Sequence, residues 1–141
     1  MQDDLNLYLV LEYLPGGELF RMVKNKGNLK VSQATFYLAE IVLALEALHK
    51  RNIIYRDLKA ENILLTQSGH VKLIDFGFSK QLKDIQKDRV MTNCGTRTYA
   101  APEVMMGGKY NYKADIWSLG ILICELVGGF TPFRSSSDLF C

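Results

Sequence analysis

Cysteine is scarce: 141 residues hold only Cys94, Cys124 and Cys141. Their number is odd and no Cys-x-x-Cys pair occurs. Neither a zinc site nor a disulfide framework is therefore indicated, and a reducing setting is expected. Charge of one sign is equally scarce. Lys and Arg number 17 against 15 Asp and Glu, a net charge of +2. That balance argues against nucleic acid or an anionic membrane as a partner. Long apolar runs are missing as well. The longest, 116–127, is interrupted by Ser118, Gly120 and Glu125 and is too short to span a bilayer. The start, Met1-Gln2-Asp3-Asp4, carries acid where a signal peptide would carry base. A cytoplasmic protein is expected. The chain does have core material, since 48% of it is hydrophobic, enough for one sizeable core.

Residues 53–65 read Ile-Ile-Tyr-Arg-Asp-Leu-Lys-Ala-Glu-Asn-Ile-Leu-Leu. Apolar flanks anchor a polar loop that holds Asp57, Lys59 and Asn62 at fixed offsets. Loops held on a rigid scaffold often carry chemistry. A carboxylate can take a proton from a hydroxyl nucleophile. A lysine can sit against phosphate as a point charge. An asparagine carbonyl is a hard oxygen ligand suited to magnesium. A second acid follows in Lys72-Leu73-Ile74-Asp75-Phe76-Gly77. Together the two sites suggest transfer of a phosphoryl group from a metal-bound nucleotide.

The 53–65 stretch resembles the catalytic loop of eukaryotic protein kinases, with Tyr55-Arg56-Asp57 where most members have His-Arg-Asp. Asp75-Phe76-Gly77 matches the family's magnesium triplet, and Ala101-Pro102-Glu103 matches the motif that closes its activation segment. Three motifs in order, with matching flanks, carry far more weight than any one alone. Lys59 resembles the serine/threonine type. Tyr55 resembles the group that contains the cyclic-nucleotide-dependent kinases and protein kinase C. The resemblance implies an α+β, protein-kinase-like fold: a mostly helical C-terminal lobe with short β-hairpins. It also implies ATP and Mg2+ as cofactors and protein substrates as partners.

No Gly-x-Gly-x-x-Gly followed by a Val-Ala-Ile-Lys strand is found. The N-terminal lobe is therefore expected to be largely missing. Residues 1–141 then form an incomplete catalytic domain, with a hinge strand over about 7–14 and the large lobe over 15–141. The resemblance implies a serine/threonine kinase fragment, inactive as an isolated chain and poor at folding alone. The alternative is a pseudokinase-like binding module without catalysis.

Taken in order, 7–14 reads Leu-Tyr-Leu-Val-Leu-Glu-Tyr-Leu, a buried strand closed by Pro15-Gly16-Gly17. By resemblance, the backbone of Glu12 to Leu14 meets the adenine edge, and Leu64 floors that pocket. Glu18 opens a short helix over 18–24 and lies near ribose and an upstream basic substrate residue. Ser32 is a good N-cap for a long amphipathic helix through Ala34, Tyr37, Leu38, Ile41, Val42, Leu45 and Leu48. His49 reads as a surface or cap residue. Gln67-Ser68-Gly69 is a hairpin turn. Residues 78–100 are polar and weakly periodic, a long functional loop.

By resemblance, Asp57 is the base, Lys59 neutralises the transferred group, and Asn62 and Asp75 hold magnesium. Thr92 is an activating phosphosite for another kinase, and its phosphate would pair with Arg56 and Lys80. Thr96 bridges Asp57 and Lys59. Glu61 and Glu125, with Glu18, form an acidic surface for basic residues upstream of the phosphoacceptor. Asn93, Arg97 and Ala100 make the pocket after the phosphoacceptor more polar than is usual. Residues 114–128 read as a helix that must be covered on every face, with Trp117 in the core and Gly128-Gly129 as its C-cap. Asp115 is expected to hold the backbone near Tyr55. Asp115 and Glu125, as buried acids, should each have a partner.

Overall fold

The computed structural model describes residues 2–3 and 5–133; Cys141 lies outside them. In chain order the elements are β1 (Gly17–Glu18), α1 (Leu19–Lys26), α2 (Val31–His49), β2 (Ile53–Ile54), β3 (Ile63–Leu65), β4 (Val71–Leu73), β5 (Lys80–Gln81), α3 (Pro102–Met105) and α4 (Lys113–Gly128). Short 3-10 turns cover Ala60–Asn62 and Arg97–Tyr99. The strands form two small antiparallel sheets, β1-β3-β4 and β2-β5, beside the helices.

Helix α2 buries Ala34, Ile41 and Leu45, positions that share one face at helical spacing. Against them lie Leu19 and Val23 of α1 and Ile121, Leu122 and Leu126 of α4, which complete the main core. Ser32 is not the N-cap. The Lys30 carbonyl accepts from Gln33 N at 2.9 Å and Ala34 N at 3.0 Å, so the helix has already begun at Val31. The buried stripe is also narrower than its periodicity suggests, because Val42 is exposed. By length and composition α2, rather than 116–127, could cross a membrane. Here it packs against α4 and β4.

Helix α4 is not covered all round. Ile116 and Ile123 are exposed, and Trp117, expected in the core, is 36% exposed and stacks on Phe133. The buried face carries Asp115, Ser118 and Glu125 among its apolar residues. It ends at Gly129 as expected, with φ 75° and its N–H bonded to Glu125 O at 2.9 Å. A Cβ there would sit 2.1 Å from Gly27 O, so the chain can close on itself only through glycine.

The expected buried strand over 7–14 is not found. Leu7, Leu9, Val10, Leu11 and Tyr13 are exposed, and the segment's one ladder contact is an isolated bridge from Leu7 to Gln2. Among the described residues no strand pairs with 8–14, and an unpaired segment has nothing to cover its side chains. The hairpin at 67–69 does form: Gly69 N reaches Thr66 O at 3.0 Å, and β3 pairs with β4 in the register Ile63↔Leu73.

The 78–100 segment is more ordered than its composition implies. Asn52 clamps it. Leu82 N donates to Asn52 O (2.8 Å), Ile85 N to Asn52 Oδ1 (3.3 Å), and Asn52 Nδ2 to Lys83 O (3.3 Å). Asn52 has φ 59°, a left-handed conformation that Asn visits more readily than most residues. Asp88 Oδ2 closes the same turn on Lys83 N and Asp84 N. Ile85 is thereby driven into a second core with Ile54, Val90, Ala101, Val104, Tyr110 and Ala114. Ile85→Ala should lower stability by about 2–4 kcal/mol, as large-to-small core changes do. Denaturant unfolding of the whole protein reads this. A loss under about 0.5 kcal/mol would mean that the turn does not anchor the segment.

Candidate active site

The 3-10 turn at Ala60–Asn62 folds the loop back on itself, so that residues five apart meet. Asn62 Nδ2 donates to Asp57 O at 2.9 Å and to Asp57 Oδ2 at 2.8 Å. Lys59 Nζ lies 3.0 Å from the same Oδ2. Asp57 Oδ1 accepts from Thr96 N at 3.0 Å and from Thr96 Oγ1 at 2.8 Å. Lys59 Nζ also donates to Thr96 Oγ1 at 2.8 Å. Asp57 is 4% exposed, and its charge is met by donors on both oxygens. A carboxylate so bonded is held in one orientation in a dry site. The structure brings Asp57, Lys59, Asn62 and Thr96 together as the sequence predicts.

Asp115 holds the start of this loop. It is 1% exposed and accepts from Tyr55 N (Oδ2, 3.0 Å) and Arg56 N (Oδ1, 2.8 Å). His49 Nε2 is 2.7 Å from Asp115 Oδ2 and, with a side chain only 14% exposed, is not the surface residue expected. The signal was present in the spacing: His49 closes α2 just before the loop, on its inner face. Arg56 has φ 72°, a strained conformation for a side chain of its size. Gly95 fits where a Cβ would come within 2.5 Å of Arg56 O, which brings the activation segment onto the catalytic loop.

Tyr55 was read only as a family marker, yet it positions Asp75. Its ring is fully buried, meets Phe76 edge-on at 5.4 Å, and its hydroxyl donates to Ile74 O. Burial, with the nearby Asp57 and Asp75 charges, pushes the phenol far above its ordinary value, so it remains a neutral donor. The Ile74 N–H reaches back to Asn62 O at 3.0 Å. Asp75 itself is exposed, with φ 58° and its Oδ1 accepting from Gly77 N at 3.0 Å. Among the described residues no three His, Cys, Asp or Glu side chains cluster as a metal cage. Asn62 donates its amide nitrogen to Asp57, which leaves its carbonyl oxygen for a cation. That oxygen and the Asp75 carboxylate make a sparse, all-oxygen set. It fits magnesium, which keeps water and substrate phosphates as its other ligands.

The remaining predicted residues are more dispersed. Glu12 is exposed and ion-paired with Lys72. Leu14 O accepts from Gly17 N at 3.3 Å, so this carbonyl already serves a turn. Glu18 lies in β1 rather than in the helix, opposite Leu64, with Arg21 3.7 Å away. Lys80 lies in β5, exposed and paired with Ile54, and Thr92 is also exposed.

Glu125 does not lie on an acidic surface. It is 8% exposed and accepts a 2.5 Å hydrogen bond from Tyr99 Oη. Burial raises its carboxyl above the ordinary value; the Tyr99 bond opposes this and the Glu61 charge adds to it. Both acids have partners, as expected, but the Glu61 Oε2 atom is buried without one.

The family model described as "Protein kinase domain" matches residues 1–140. The chain is 50% identical to the human cAMP-dependent protein kinase catalytic subunit PRKX over 131 residues, 93% of this chain and 36% of that protein. It is 46% identical to the Saccharomyces cerevisiae cAMP-dependent protein kinase type 3, over 98% of this chain and 34% of that one. For the Dictyostelium discoideum cAMP-dependent protein kinase catalytic subunit the identity is 49%, over 94% and 20%. The chain thus spans little more than a third of these relatives at most.

Because the raised carboxyl of Glu125 binds its proton more tightly when folded, stability is greatest below the ordinary value of 4.5. It declines as pH rises through the raised folded value. Glu125→Gln should flatten that decline, read from unfolding midpoints across pH 4 to 8 (about 1 unit apart). An unchanged slope would assign the dependence to another group.

Proposed function

The chain belongs to the protein kinase family, and from that premise we propose that it carries the phosphoryl-transfer centre of a cytoplasmic serine/threonine protein kinase. One observation carries the reading: the Thr96 hydroxyl donates to the buried Asp57 carboxylate at 2.8 Å. An aliphatic alcohol therefore fits the base, and a substrate serine or threonine offers the same group.

When bound, ATP supplies the phosphoryl group and Mg2+ neutralises its charge. Asp57 orients the substrate hydroxyl and accepts its proton. Lys59 stabilises the charge that develops on the transferred group. Asn62 and Asp75 are the magnesium ligands. The backbone of Glu12 and Leu14, with Glu18 and Leu64, faces the adenosine. Phosphate on Thr92, added by an activating kinase, would pair with Arg56 and Lys80.

A basic side chain upstream of the phosphoacceptor would supply the donor that Glu61 Oε2 lacks among the described residues. The reading as a non-catalytic module is disfavoured, because Asp57, Lys59, Asn62 and Asp75 are all present.

In the full-length protein, Asp57→Asn should cut kcat on a serine peptide by about 10²–10⁴-fold, the range for loss of a general base. ATP affinity should hold. Peptides with arginine upstream should show a lower KM than alanine controls, and Glu61→Ala should erase that difference. Near-wild-type turnover by Asp57→Asn would refute the catalytic assignment.

A further inference from the structure

Arg56 precedes the candidate base, and among the described residues no acid is ion-paired with it. Its Nε donates to Phe78 O, just past the Asp-Phe-Gly triplet, and its Nη1 donates to Tyr110 Oη at 3.2 Å. The Tyr110 hydroxyl in turn donates to Thr92 O at 2.6 Å. One buried phenol thus links the catalytic-loop arginine to the backbone of the candidate phosphosite. Its own backbone is fixed as well. Val90 and Tyr110 exchange both N–H···O bonds, at 2.8 and 2.9 Å. The ring is 4% exposed, within the second core.

We propose that Tyr110 is a positioning residue, whose hydroxyl transmits the placement of the Thr92 backbone to Arg56 and so to the adjoining Asp57. This deepens the kinase reading and rests on it. The hydroxyl is the one group of a phenol that can accept and donate at once, and both roles are filled here. The Val90 pairing fixes the backbone from which the ring projects, and the second core packs round the ring. A guanidinium with neutral partners also stays available to a phosphate at Thr92, because no carboxylate competes for it. Burial raises the phenol above its ordinary value while Arg56 opposes this, so the hydroxyl keeps its proton. A direct line through Arg56 Nη1, Tyr110 Oη and Thr92 O thus sets the loop before phosphorylation. Phosphate, once present, adds to an arginine already in place.

Tyr110→Phe keeps the ring and removes the Arg56 and Thr92 bonds, together with the 3.9 Å contact to Cys94 Sγ. In the full-length protein, kcat on a serine peptide should fall about tenfold, the scale of a small misplacement of reacting groups. KM for the peptide and affinity for ATP should change by less than about twofold, because no binding contact is touched. The decisive readout is the pair with Arg56→Ala: the double variant should be no slower than Arg56→Ala alone. 4-Aminophenylalanine at position 110, which restores a donor and a weak acceptor, should recover part of the loss. It also tests the idea should the phenylalanine variant prove unstable. Additive losses, or a tenfold fall that the amine does not repair, would overturn the proposal and reduce Tyr110 to a core residue. A wild-type protein active on the peptide with an equally active Tyr110→Phe would refute this inference alone. An inactive wild type would refute the kinase reading and this inference with it.

Discussion

One buried carboxylate sets the site. Asp115 sits inside α4 with 1% exposure and takes the N–H groups of Tyr55 and Arg56 together with His49 Nε2. A charge so placed is costly unless every lone pair is used, and removing one donor strands it. The two consecutive N–H groups leave the loop only one approach to α4. His49, at the end of α2, fixes the same point from the other side. The helices, the loop and the base therefore share one hydrogen-bonded origin, although Asp115 does not itself touch Asp57.

The strain at the site follows from that origin. Arg56 is forced to φ 72° and Asp75 to φ 58°, while their neighbours are regular. The positive φ at Arg56 places its N–H on Asp115 and still sends its side chain toward Phe78 and Tyr110. Each such residue costs of order 1–3 kcal/mol. The surrounding bonds offset that cost: two onto Asp115, one from Tyr55 to Ile74 O, and the paired hairpin. Strain at the candidate base's neighbour and the candidate metal ligand is strain held where a reaction needs fixed groups, whereas Asn52, the third such residue described, tolerates it more readily.

The sequence made the centre legible because its residues act at short range. Asp57, Lys59 and Asn62 lie within six positions, and one 3-10 turn assembles them, so a linear motif carries nearly all the geometry. That Asp115 needs a partner was legible from a buried acid in an apolar helix, and the kinase resemblance implied which backbone supplies it. What escaped detection depends on long-range packing. Trp117 and Ile116 read as core because periodicity cannot say which face of α4 is covered. The 7–14 run reads as a strand because a short apolar and aromatic stretch closed by Pro15-Gly16-Gly17 is a local signal, whereas pairing requires a partner. His49 looked like a helix end until α4 was placed beside it. The order in 82–90 rests on Asn52, some thirty residues away, and no composition rule reaches that far.

The catalytic loop also lies at a seam. Ile54 belongs to the second core and its neighbour Tyr55 to the first; Tyr99 belongs to the first core and Ala101 to the second. Ile54 and Tyr55 are consecutive in extended backbone and point to opposite faces, while the chain leaves a 3-10 turn between Tyr99 and Ala101, so each of these segments links the two cores. Asp57 is suspended between them, with Thr96 on its other side. Interiors are close-packed and respond to small volume changes. A shift in either core therefore moves the segment that carries the candidate base Asp57. The second core is built largely from the activation segment and its return, through Ile85, Val90, Ala101 and Val104. A change in that segment would reach Asp57 by packing alone, and the hydrogen bonds at Arg56 and Thr96 would give the motion its direction.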